Sequence, residues 1–270
     1  MKNYPTSAIS IEQFSRLNIS AGQAGGLRSV NKFGRSTNVD DGVDTDIWDG
    51  ANSSDDIDIW VAPTQARTHQ ITSTSANDTS GGTGARTIEV FGLVDWDTEE
   101  TSETITMNGT SNVATSNQYV IIHRMKVMTF GSAGPNVGQI SATADTDATE
   151  TAFILAGEGQ TQMAIYGIPS CCNAFVTKFY ASTLRANLGT SEAHVDMRLL
   201  YNPIPDQDET GFLVKHSFGI GTRGSNPAEH DYNPYNKFEG PGILKMQGAG
   251  SANNLDVSAG FDIILETINN

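Results

Sequence analysis

What the chain lacks narrows its roles before any motif is read. No apolar run approaches the roughly 20 residues that cross a bilayer as a helix, so a helical membrane span is excluded. Cysteine is almost absent, with only the adjacent Cys171 and Cys172. Neighbouring cysteines cannot staple distant segments, and a bridge between them would strain the intervening peptide. A secreted disulfide scaffold is thereby excluded, and two free thiols suit a reducing compartment. Basic residues are scarce: 16 Lys and Arg stand against 31 Asp and Glu, for a net charge of −15. They do not cluster. Arg124 and Lys126 sit alone on one expected strand, and Arg185 and Arg198 are scattered. Without a basic patch there is no counterion release to gain, so no nucleic-acid partner is expected. Helical periodicity is missing as well. The segment Met1-Lys-Asn-Tyr-Pro-Thr-Ser7 has no apolar signal-peptide core, and synthesis in the cytoplasm is expected.

What the chain does have is alternation. Twenty-seven glycines and many Ser, Thr and Asn residues announce frequent turns. Between them, Ile88, Val90, Val94 and Trp96 share one face, as do Tyr119, Ile121, Met125 and Val127. Ala174, Val176 and Tyr180 alternate with Phe175 and Phe179, and Val195, Met197 and Leu199 with His194, Asp196 and Arg198. Phe212, Val214 and Phe218 alternate with Leu213, Lys215 and Ser217, and Phe261, Ile263 and Leu265 with Asp262 and Glu266. Period two in many short segments without intervening helices predicts an all-β fold, an antiparallel β-sandwich or jelly-roll-like domain with an extended N-terminal arm. A chain of this size buries roughly three quarters of its extended surface, enough for a large core. The expected organisation is an arm over 1–30, an acidic, turn-rich segment over 31–84 packed on the main domain, and a β-sandwich over 85–270.

The arm carries Ser10-Ile-Glu-Gln13, a capping pattern, followed by Ile11, Phe14 and Leu17 at three-residue spacing. A helix of one or two turns is marginal alone. Its apolar stripe needs a surface to cover it, either its own domain or another subunit.

Motifs that carry chemistry are thin. Gly219-Ile-Gly-Thr-Arg-Gly224 matches a dinucleotide fingerprint, but Ser225-Asn-Pro follows where a helix is required, so a glycine-rich turn is expected. His69, His123, His194, His216 and His230 lack metal-type spacing, and His123 reads as a hydrogen-bonded sheet residue. Asp95-Trp-Asp-Thr-Glu-Glu100 pairs carboxylates with an aromatic, as a glycosidase might, but it reads as a solvated hairpin turn. The acidic run holding Asp40, Asp41, Asp44 and Asp46 is the best calcium candidate, since that ion takes six to eight hard oxygens. It lacks the glycine and terminal glutamate of an EF-hand, and a solvated loop is the plainer reading. No cofactor is otherwise expected.

Several segments match a known group. They are Ser73-Thr-Ser-Ala-Asn-Asp-Thr-Ser-Gly-Gly-Thr-Gly-Ala-Arg-Thr-Ile-Glu-Val-Phe-Gly-Leu93, with the hairpin signal Asn108-Gly109 after it, and Asn31-Lys-Phe-Gly-Arg-Ser-Thr-Asn-Val-Asp40 with Asp46-Ile-Trp-Asp49. Gly159-Gln-Thr-Gln-Met-Ala-Ile-Tyr-Gly-Ile-Pro169, Phe238-Glu-Gly-Pro-Gly-Ile243 and Val257-Ser-Ala-Gly-Phe-Asp-Ile-Ile-Leu265 complete the set. In this order they resemble a family of virion structural proteins from tailed, mostly marine bacteriophages. The resemblance spans roughly residues 30 to 266, with departures at Ser170-Cys-Cys-Asn173 and at Gly240-Pro-Gly242. It implies a non-enzymatic protein assembled in the host bacterial cytoplasm, acting as a homo-oligomer against other virion proteins. Capsid decoration and a tail or collar position are the roles it implies. The second class is a carbohydrate-binding module for host attachment, with Trp48, Trp60, Tyr232 and Tyr235 as the aromatics that would have to converge.

Overall fold

The computed structural model describes residues 16–53, 56–185, 192–205, 211–221 and 228–268, except the side chains of 184 and 185. Among the described residues, strands are the predominant regular structure. In order these are β1 (Leu27–Val39), β2 (Asp44–Asp46), β3 (His69–Ser73), β4 (Ala85–Leu93), β5 (Thr101–Thr106), β6 (Val113–Ala114), β7 (Ile121–Phe130) and β8 (Ile140–Ala144). They continue with β9 (Glu150–Ile154), β10 (Ile165–Ile168), β11 (Cys172–Arg185), β12 (His194–Asn202), β13 (Leu213–Gly221), β14 (Ala228–Glu239), β15 (Gly242–Gly250) and β16 (Leu255–Thr267). A 3-10 turn at Asp49–Asn52 and a helical stretch at 16–20 are the exceptions.

The strands make four antiparallel sheets. Sheet one runs β1-β16-β11-β14, sheet two β10-β15-β12-β13, sheet three β6-β3-β8-β9 and sheet four β5-β4-β7. Strand β2 pairs with β15 beyond the end of β10, so the two lie end to end along one edge of β15. The sheets contact one another in a circuit. One meets two, two meets four through β10 and β7, and four meets three through β7 and β9. The 3-10 turn links three back to one. This circular order is like that of a four-bladed propeller, with sheet one drawing strands from both ends of the chain.

The buried residues gather into two cores. Val257, Ala259, Phe261, Ile263 and Leu265 of β16 meet Val195, Met197 and Leu199 of β12 in the first, between sheets one and two. Trp48, Trp60, Ile71, Ile88, Val90, Met125 and Phe153 fill the second, mainly between sheets three and four. Strand β10 is the wall between them. Tyr166 and Ile168 face the first core and Ile165 the second, as period two requires. Ile47 and Trp48 divide in the same way. The boundary at 84/85 therefore does not divide the molecule: β1 is a 13-residue strand of sheet one, and β3 lies inside sheet three. The arm also ends earlier than residue 30, because β1 begins at Leu27.

Two local expectations are corrected by bulges and a third by the sheets that its flanking strands join. A bulge between Val176 and Lys178 shifts the phase of β11, so Phe179 and Ala181 join Ala174 and Val176 inside while Tyr180 is only part-buried. A second bulge between Leu199 and Leu200, in the pairing of β12 with β13, leaves Val214 58% exposed. Asn108-Gly109 closes no hairpin: β5 before it pairs with β4, while β6 after it pairs with β3. Gly109 takes φ 62°, whereas Asn108 instead bridges to Thr79. The turn hands the chain from sheet four to sheet three.

Candidate functional site

The chemistry concentrates where sheets one, two and four meet. A cavity of about 400 Å³ lies there, lined by β1, β4, β7 and β10 and by Glu100 at the approach to β5. Alternation on β1 puts Arg28 and Lys32 on one face, four residues apart. Gly34, two residues further on that face, lets β1 come close to the inner wall: a Cβ there would stand 2.1 Å from the Ile47 carbonyl oxygen.

His123 owes its place to a bulge. Phe91 pairs with Arg124 and Gly92 with Ile122, so His123 is the extra residue on β7. Bulges commonly re-aim a side chain. A Cβ on Gly92 would meet the Ile121 carbonyl oxygen at 2.2 Å, so glycine is required opposite the bulge. His123 is buried and its Nε2 lies 2.6 Å from Glu100 Oε2. Its ring packs on Tyr166 with centroids 4.6 Å apart. The Lys32 ammonium donates to the His123 carbonyl.

These groups hold unusual charge states. Burial lowers the His123 imidazole, so the neutral ring donates Nε2–H to Glu100 and leaves Nδ1 as an acceptor. Burial acts to raise the Glu100 carboxyl, but the hydrogen bond from His123 and the charges of Arg28 and Lys32 hold it below the ordinary carboxylate range. Burial, with Arg124 nearby, lowers Lys32 to about 7. Burial and the Glu100 charge raise Tyr166, which stays a neutral hydroxyl. At the exposed side Arg124 donates to Gln160 at 3.1 Å and lies over the Phe91 ring. Three atoms around this cavity, Arg28 Nη2, His123 Nδ1 and Tyr166 Oη, are buried without a hydrogen-bond partner among the described residues.

The other candidates disperse. Asp46 is fully buried and spends its oxygens on Lys245 Nζ at 2.6 Å, Gln247 Nε2 at 3.1 Å and the Trp60 amide at 2.9 Å. Asp44 pairs with Arg198 and Asp40 accepts the Asn254 amide, while Asp41 is exposed. The four calcium candidates do not converge: Asp40, Asp44 and Asp46 each bond a different protein partner, and among the described residues no three His, Cys, Asp or Glu groups gather as a metal set. Trp48 and Trp60 lie in the second core with their indole N–H groups bonded to the Ile57 and Thr151 carbonyls, so they cannot stack on a glycan. Asp95 and Asp97 form a turn, the Asp97 amide donating to Asp95 and Ser170 to Asp97. Of the arm residues, Leu17 is 66% exposed, Ile11 and Phe14 lie outside the described residues, and Arg16 bonds Tyr235. The two cysteines are free, with Sγ atoms 3.7 Å apart. Gly219 to Gly221 belong to β13, and the rest of that glycine motif lies outside the described residues.

Sequence reading found His123 as a hydrogen-bonded sheet residue but missed its partners. Arg28, Lys32, Glu100 and Tyr166 are far apart in the chain, and although Lys32, Glu100 and Tyr166 lie in three of the quoted segments, nothing local joins those segments. A lysine inside an alternating strand, at a position that should face inward, was the available signal. No known protein family, curated protein or solved structure matches the chain.

Proposed function

We propose that the protein is a non-enzymatic structural component of a tailed-phage virion, a capsid-decorating cement protein or a tail or collar component, working through repeated protein contacts. One observation carries this reading beyond the sequence resemblance. Among the described residues, strands β13 and β14 are the outer strands of sheets two and one with no further strand paired to them, and they converge on a shared ring cluster in which His216 and His230 lie 4.5 Å apart. Leu213 and Val214 on β13 are 50% and 58% exposed. Long unpaired edges invite strand addition by another chain, and a virion protein meets many copies of its partners. In this reading sheets one and two, sharing the first core, form a jelly-roll-like sandwich. Asp95 and Asp97 serve their turn, so replacing both with Asn removes no activity.

The test is copy number in purified particles relative to the major capsid protein. Hundreds of copies place it as decoration, and about a dozen as tail or collar, following the symmetry of each structure. Absence from particles removes the role. Val214→Lys is expected to leave the fold intact and reduce incorporation.

A second reading, a carbohydrate-binding module for host attachment, is favoured by the cavity beside His123 and not by the aromatics first named for it.

A further inference from the structure

We infer that the cavity between β1, β7 and β10 binds a small hydroxylated carboxylate, the chemistry of an acidic sugar. The inference does not depend on a virion role. Buried polar groups are almost always paired, because leaving one unmade is costly. Seven buried side-chain atoms among the described residues break that rule, and three of them, Arg28 Nη2, His123 Nδ1 and Tyr166 Oη, belong to residues that line this one cavity.

Their chemistry defines a complement. Arg28 offers a planar donor suited to a carboxylate. The Tyr166 hydroxyl offers a further donor. His123 Nδ1 is an acceptor, because Nε2–H is given to Glu100, and it needs a donor from the ligand. A bare oxyanion satisfies the first two and not the third, whereas a hydroxyl beside a carboxylate satisfies all. Charge agrees. Arg28, Lys32 and Arg124 face a single acid, Glu100, in a protein of net charge −15. The volume, about 400 Å³, lies within the range of small-molecule sites.

The test titrates the full chain with D-glucuronate, glucose, inorganic phosphate and sulfate, following the His123 ring nitrogens by NMR and binding by calorimetry. Saturable glucuronate binding that shifts Nδ1 is expected, with no binding of glucose. Arg28→Gln should weaken it about tenfold or more, as loss of a charged hydrogen bond does. Tyr166→Phe, the milder variant should Arg28→Gln fail to fold, should weaken it several-fold. Affinity should fall several-fold from pH 6 to pH 8.5 as Lys32, facing Arg124, Glu100 and the His123 carbonyl, loses its proton. No binding of glucuronate at about 10 mM, a concentration well above a millimolar Kd, overturns the inference. Equal binding of glucose overturns it, since charge then plays no part. Phosphate or sulfate matching glucuronate also overturns it, as the site then holds an adventitious ion only.

Discussion

Two buried polar clusters in this protein have opposite finish. Around Asp78 every valence is closed. Its carboxylate accepts the amides of Ala85, Val137 and Gly138 and the Ser73 hydroxyl, at 2.6 to 2.9 Å. Those four partners come from β3, β4 and the loop before β8, so one side chain ties three segments of sheets three and four. Around His123 the bonding stops short, with three atoms left open beside a cavity. A closed cluster holds a fold together. An open one carries a standing cost that a ligand or water can relieve. The Asp46–Lys245 pair, with exposures of 0% and 4%, belongs with the closed kind.

The sharpest way to break the comparison is to open a closed cluster. Asp78→Ala leaves three backbone amides and a hydroxyl without their acceptor. Stability should fall by roughly 4 kcal/mol or more, from costs of about 1–3 kcal/mol for each unsatisfied buried group, read from denaturant unfolding. Lys245→Met strands the buried Asp46 carboxylate and should cost about 3–5 kcal/mol. A loss below about 1 kcal/mol in either, the range of ordinary exposed positions, would show that these clusters do not hold the sheets.

A smaller effect comes from Asp49, which is buried and bonded through Oδ2 to the Gln162 amide while Oδ1 has no partner. Burial pushes its carboxyl up to about 8. The folded state therefore keeps a proton that the unfolded chain releases near pH 4. By linkage, stability from this group is full below about pH 4, declines as pH rises towards 8 and is level above. Asp49→Asn should flatten that decline and leave the protein more stable than the parent at pH 8. An unchanged pH profile of unfolding would refute it.

The smallest effect tests the open cluster. Tyr166→Phe removes a hydroxyl that bonds nothing among the described residues. Thermal stability should change within about 0.5 kcal/mol, the level of a substitution that breaks no contact. A large loss would mean that the hydroxyl has a structural partner after all and that the two clusters are alike.

Much of the fold was legible because alternation is local. The inward set on β16 from Val257 to Leu265 and that on β12 from Val195 to Leu199 lie where period two puts them. Two of the readings that failed lie at bulges, where one extra residue reverses the faces: Tyr180 after Thr177, and Val214 before His216. The sequence carries no mark of those insertions, since any residue can bulge. Trp48 and Trp60 illustrate a second limit, because exposure of an aromatic depends on the layer laid over it.

The amino-acid sequence by itself determined the strand class, the acidic balance, the frequent turns and the isolation of the two thiols, because each depends on composition or on neighbours within a few residues. The tertiary structure alone decided that the strands fill two cores around β10, that Asp46 meets Lys245 across 199 residues, and that Arg28, Lys32, Glu100, His123 and Tyr166 share one cavity. Those meetings follow from which sheet each strand joins, and strand pairing is settled by long-range burial that no short window of sequence contains.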